Sequence, residues 1–93
     1  MKLNETLKNS AVITTKKIFL YHAPILYVFH DEDNIWECEG EEYAKDSDYM
    51  VVSFEEICAL DRTLLEVINL KAGFYAYRTD KNSDWQFLPL DNE

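Results

Sequence analysis

Ile25-Leu26-Tyr27-Val28-Phe29, then His30-Asp31-Glu32-Asp33-Asn34, then Ile35-Trp36-Glu37-Cys38-Glu39: the fold turns on how these residues are read. The first five are apolar without a break, which suits a central strand covered on both faces. The next five form turns readily, because Asp and Asn side chains bond to their own backbone. The last five alternate apolar and polar, the period-two pattern of a strand with one wet face. Together they predict a β-hairpin.

Upstream, Ala11 to Leu20 contains Val12, Ile13, Thr14, Thr15, Ile18 and Phe19, and this β-branched content predicts a strand. Tyr21-His22-Ala23-Pro24 ends it, since Pro24 has no N–H for a ladder and restricts Ala23. Residues 1–10 are polar and read as a flexible arm or a short helical turn. Downstream, Gly40 to Tyr49 forms an acidic loop, and Met50-Val51-Val52 a short strand.

Ser53-Phe54-Glu55-Glu56 is a capping box: the Ser53 hydroxyl can accept from the Glu56 N–H while the Glu56 carboxylate reaches back to the Ser53 N–H. A short helix should follow, and Asp61 is a second N-cap opening Arg62 to Leu70. Phe74-Tyr75-Ala76-Tyr77 and Trp85-Gln86-Phe87-Leu88 read as two more strands around a polar turn, the last stopped by Pro89. The spacing Asp31-x-Asp33-x-x-Trp36 recurs as Asp80-x-Asn82-x-x-Trp85, which shared turn chemistry explains as well as duplication.

The expected fold is α+β: an antiparallel sheet of about four to six strands, with one short helical segment (about residues 53–70) packed on one face. Residues 1–93 form one domain. The expected core is Ile25, Tyr27, Val28, Trp36, Val51, Ile57, Leu60, Leu64, Leu65, Ile68, Phe74 and Trp85.

Composition agrees with a small self-supporting core. Hydrophobic residues make up 47% of the 93 positions and aromatics 14%, enough to hold a domain of this size without a staple. Two Gly and two Pro exclude a collagenous or linker-like chain, and two Cys are too few for a disulfide scaffold. The N-terminus shows no export signal, and the longest apolar stretch, Ala23 to Phe29, is far short of a membrane span. A cytoplasmic location with reduced thiols is the expectation. Cys38, between Glu37 and Glu39, and Cys58, in an apolar run, do not read as nucleophiles.

The net charge of −9 is concentrated, with residues 31–56 holding eleven acids against Lys45 alone. Such a segment repels phosphate, which argues against nucleic acid, and it would steer a basic protein partner by long-range attraction. The plainer reading is a solvated surface that keeps the chain soluble. The candidate partner-binding residues are Glu37, Glu39, Glu41, Glu42, Tyr43, Asp46, Asp48 and Tyr49, with the carboxylates expected at the surface.

A metal or acid–base site would have to start from His30, Asp31 and Asp33. Their spacing opens like a calcium loop, but Ile35 takes the next ligand position and the required glycine is missing. Phosphate loops, nucleophile elbows and Ser–His or Cys–His pairings are lacking, so no cofactor is expected.

Three stretches carry a resemblance: Pro24-Ile25-Leu26-Tyr27-Val28-x-His30-Asp31-x-Asp33-x-x-Trp36, Val51-Val52-Ser53-x-Glu55-Glu56-Ile57-x-x-Leu60-Asp61-x-Thr63-Leu64, and Gly73-x-x-Ala76-x-Arg78. They resemble a family of small uncharacterised bacterial domains of unknown function, similar to immunity-type domains of bacterial toxin systems. The chain departs from that pattern at Asn34-Ile35, where the family tends to have a glycine-containing turn. The resemblance implies a stand-alone bacterial domain and carries no assigned functional residue.

Three functions follow as expectations. The first is a non-catalytic protein-binding module of immunity type, masking a basic partner through residues 31–56. The second is a small enzyme or metal-dependent factor centred on His30, Asp31 and Asp33. The third is a structural or regulatory subunit that forms a homodimer through a sheet edge.

Overall fold

The computed structural model describes residues 3–41 and 44–90. Six strands build one sheet: β1 (Ala11–Thr15), β2 (Tyr27–His30), β3 (Trp36–Glu39), β4 (Tyr49–Ser53), β5 (Phe74–Tyr77) and β6 (Gln86–Pro89). Their order across the sheet is β4-β1-β3-β2-β5-β6. Neighbours are antiparallel except β1 and β3, which run parallel with Val12 beside Trp36. The fold is therefore α+β with a mixed, mostly antiparallel sheet. A parallel pair needs a crossover, and here the chain passes through a helical turn and β2 before returning as β3.

The strand expected over Ala11 to Leu20 stops at Thr15. Its hydroxyl accepts from the Ile18 N–H at 3.2 Å and caps a single turn, α2 (Lys16–Phe19), which drives Ile18 into the core. The turn expected near the N-terminus is α1 (Glu5–Lys8), capped by Asn4; Lys8 reaches Glu55 at 3.7 Å.

The capping box forms. The Glu56 N–H donates to Ser53 Oγ at 3.0 Å and the Ser53 N–H to Glu56 Oε1 at 2.8 Å, opening α3 (Phe54–Leu60). Asp61 caps the 3-10 turn Arg62–Glu66, its Oδ1 accepting from the Thr63 N–H at 3.0 Å. These elements cover one face of the sheet. Val12, Val28, Trp36, Cys38, Val52 and Ala76 meet Ile18, Phe54, Ile57, Leu64 and Val67 there.

Two expected core residues lie outside the core. Tyr27 is exposed because β2 is covered on one face only, so alternate residues of the apolar run face outward. Val51 is 65% exposed, since the register sets Val52 opposite Val12 and turns Val51 to the other side. Leu60, Leu65, Ile68 and Phe74 are half-buried at the margin of the core.

One cation is buried in this core. The Arg78 Nε donates to the Ile25 carbonyl at 2.9 Å, and Nη1 to the Thr63 hydroxyl at 2.9 Å and the Lys81 carbonyl at 3.2 Å. Its Nη2 meets Asp61 Oδ2 at 2.7 Å, and the guanidinium lies 4.2 Å from the centre of the Trp85 ring. A buried charge is tolerated only when paired and hydrogen-bonded, and Arg78 is both.

Candidate functional site

The second face of the sheet is where the acidic segment and the aromatics come together. Strand side chains alternate, and the register aligns those pointing this way into rows. In one row Ile13 stands beside Glu37, Glu37 opposite Phe29, and Phe29 opposite Tyr75. In the next, Glu39 is opposite Tyr27 and Tyr27 opposite Tyr77.

The four rings form a block. Centroids are 6.0 Å apart between Tyr27 and Phe29, 6.4 Å between Tyr27 and Tyr77, 5.6 Å between Phe29 and Tyr75, and 6.2 Å between Tyr75 and Tyr77. These are ordinary separations for aromatic pairs. Val51, Tyr27 and Leu88 stand exposed on this face, each well short of burial.

Beside the rings, a depression of about 360 Å³ is lined by Tyr27, Phe29, Glu37, Glu39, Glu41 and Tyr49. Of the expected partner-binding residues, Glu37, Glu39, Glu41 and Tyr49 are thus gathered in one place. Glu41 is exposed, while Glu37 and Glu39 are half-buried against their neighbours rather than fully solvated. Asp48 is turned to a local task, its carboxylate accepting from the Lys45 N–H at 3.1 Å. Asp46 belongs by its backbone to the 3-10 turn Asp46–Asp48. Glu42 and Tyr43 lie outside the described residues.

The Glu37 carboxyl is harder to ionise than an ordinary one. Its side-chain hydrogen bond with Glu39, then partial burial, then the charges of Glu39 and Asp31, raise it from 4.5 to about 7. Glu37 therefore keeps its proton well above the pH at which an ordinary carboxyl loses it.

Of the rings beside the carboxylates, the sequence reading puts Tyr27 in the core and gives Phe29 no part in a site. A signal was present: Tyr-Val-Phe-His and Phe-Tyr-Ala-Tyr place aromatics at every second position, where they must share a face.

His30, Asp31 and Asp33 are held by the hairpin instead. His30 stacks on Trp36 at 3.9 Å and donates from Nδ1 to the Leu70 carbonyl at 2.7 Å, with Nε2 2.6 Å from the Asn34 side-chain amide. Asn34 sits at φ 65°, a conformation Asn tolerates in turns. Asp31 Oδ1 accepts from the N–H groups of Asp33 and Ile35 at 2.9 and 3.0 Å. Among the described residues no group of three His, Cys, Asp or Glu side chains is placed to hold a metal ion.

Cys38 and Cys58 are buried, and burial pushes both thiols up, that of Cys58 to about 11. A larger depression of about 770 Å³ opens beside α2, lined by Lys17, Pro24, Glu41, Lys45 and Asp48 among others, with charges of both signs. No helix of the described residues is long and apolar enough to cross a membrane.

No family model matches the chain, and no curated protein or solved structure matches it either.

Proposed function

We propose that this chain is a non-catalytic protein-binding module of immunity type, working in the cytoplasm and masking a basic protein through its acidic segment, residues 31–56. The observation that carries the reading is the second face of the sheet. There Glu37, Glu39 and Glu41 line one depression with Tyr27, Phe29 and Tyr49. Aromatic side chains supply contact area at little entropic cost, and carboxylates beside them supply steering and register. The thiols are held in their unreactive form, and His30 is engaged on both ring nitrogens, which favours binding over chemistry.

The experiment starts from complexes isolated from the source cells, whose partner is identified and then made recombinantly. Association is measured by stopped flow for the wild type and for a variant carrying Glu37→Lys, Glu39→Lys, Glu41→Lys and Glu42→Lys. The reversal should slow association by about ten-fold or more at low salt, with the difference shrinking as salt is raised. Equal rates at low salt would reduce the acidic segment to a solubilising surface and overturn the reading.

A further inference from the structure

We propose that the depression on the second sheet face seats an arginine side chain of the partner, its guanidinium laid against the Tyr27 ring and forked onto the carboxylates of Glu37 and Glu39. This rests on the reading of the chain as a binder of basic protein and names the chemistry by which it would bind.

The argument begins with complementarity. The described residues lining the depression carry three carboxylates and no basic side chain. Its volume of about 360 Å³ lies at the small end of ligand sites, suited to one long side chain rather than a helix. Register places Glu39 directly across from Tyr27 and Glu37 directly across from Phe29, so each carboxylate has a ring as its cross-strand neighbour. Opposed strand residues are about 5 Å apart at Cβ, within reach of a single planar cation touching both.

Arginine fits this arrangement better than lysine. A guanidinium is planar, stacks on aromatic faces and presents a fixed fork of donors that matches carboxylate oxygens. An ammonium is a more strongly hydrated point charge and gains less from a ring and two separate carboxylates. The chain itself uses the same chemistry elsewhere, with Arg78 over Trp85 and paired to Asp61.

Glu37 and Glu39 stand two positions apart on β3 and share its outer face, an arrangement that fits a site awaiting a cation. A guanidinium there would favour the charged form of Glu37, which Glu39, partial burial and Asp31 disfavour in its absence. Among the described residues, the groups around Glu37 can be named. On its own strand there is Glu39, with Asp31 at the end of the hairpin and Glu41 beyond Gly40. From β2 and β5 there are Tyr27, Phe29, Tyr75 and Tyr77, from β4 Tyr49, and Ile13 of β1 brings no charge. Seating arginine should therefore strengthen as pH rises through about 7.

The test titrates the intact protein with three tripeptides: acetyl-Gly-Arg-Gly-amide, its lysine counterpart, and its citrulline counterpart, which has the same shape without the charge. Carboxyl carbon shifts of Glu37 and Glu39 and ring shifts of Tyr27 are followed by NMR. The arginine peptide should give saturable shifts at all three residues, and the lysine peptide should bind about three-fold or more weaker. The citrulline peptide should give no saturable shifts. Binding should weaken by about five-fold from about pH 8 to about pH 5.5, and by a similar factor in Tyr27→Leu, whose unchanged amide spectrum would verify the fold.

Equal binding of the arginine and lysine peptides, or shifts confined to residues away from β2 and β3, would overturn the arginine seat. If the recombinant partner still associated more slowly with the charge-reversed variant, the reading as a basic-protein binder would stand without it. If that association were unaffected by reversal, the broader reading would fall whatever the peptides did.

Discussion

Arg78 and Asp61, 17 residues apart in sequence, meet at 2.7 Å with the arginine almost wholly buried. Asp61 is at once the cap of the 3-10 turn and the counter-ion of the residue that follows β5, so it ties the helical layer to the end of that strand. Removing one partner of a buried pair leaves the other without compensation. Asp61→Ala should destabilise by about 3–5 kcal/mol, well beyond the roughly 0.5–2 kcal/mol of a lost cap. Asp61→Asn, which retains an acceptor for the turn, should recover part of the loss, and urea midpoints of the two variants separate the effects.

Thr14 is fully buried on β1, and its hydroxyl has no hydrogen-bond partner among the described residues. Valine has nearly the same shape without the hydroxyl. Thr14→Val should therefore stabilise by about 1 kcal/mol, raising the thermal midpoint.

Glu37 gives the fold a pH dependence of defined sign. Its folded carboxyl titrates near 7 and its unfolded one near 4.5, so its stabilising contribution is complete below about 4.5 and fades as pH rises to about 7. Glu37→Gln removes that decline. Solvent screening of a half-exposed group limits the effect to about 1 kcal/mol, seen as wild type losing stability relative to the variant between the two pH values. A constant difference across that range would contradict the raised Glu37 carboxyl.

Val51 and Val52 are adjacent and point to opposite sides of the sheet. Val51→Thr should change stability by less than about 0.5 kcal/mol, as exposed substitutions do. Val52→Ala removes two buried methyl groups' worth of packing and should cost about 2 kcal/mol. Denaturant unfolding of both variants tests the register directly.

What the sequence conveyed followed from local chemistry. The capping box at Ser53 and Glu56, the cap at Asp61 and the turn at Asp31 each involve residues within four positions of one another, and all three form. Tyr27 was ambiguous because a run such as Ile25 to Phe29 reads alike whether one face or both are covered. Which face of β4 turns inward is set by pairing with β1, almost 40 residues upstream, and a three-residue apolar run such as Met50 to Val52 cannot express it. The parallel pairing of β1 with β3 and the union of Arg78 with Asp61 are likewise long-range facts. The site was half legible: Glu37 and Glu39 were recognisable as a wet strand face, while the rings beside them come from two other strands.

The place of β1 in the sheet has a consequence for how the chain reaches this structure. It lies between β3 and β4, both of which are made later on the ribosome. The hairpins β2–β3 and β5–β6 close over short loops and can form early, but the first strand to emerge must wait for β4 before both its edges are paired. Until then its ladder groups are open to pairing with other chains, and closing of β4 onto β1 is the event that ends that exposure. Slowing that closure, by a longer connection between β3 and β4, should raise aggregation during refolding while leaving the finished protein's stability nearly unaltered.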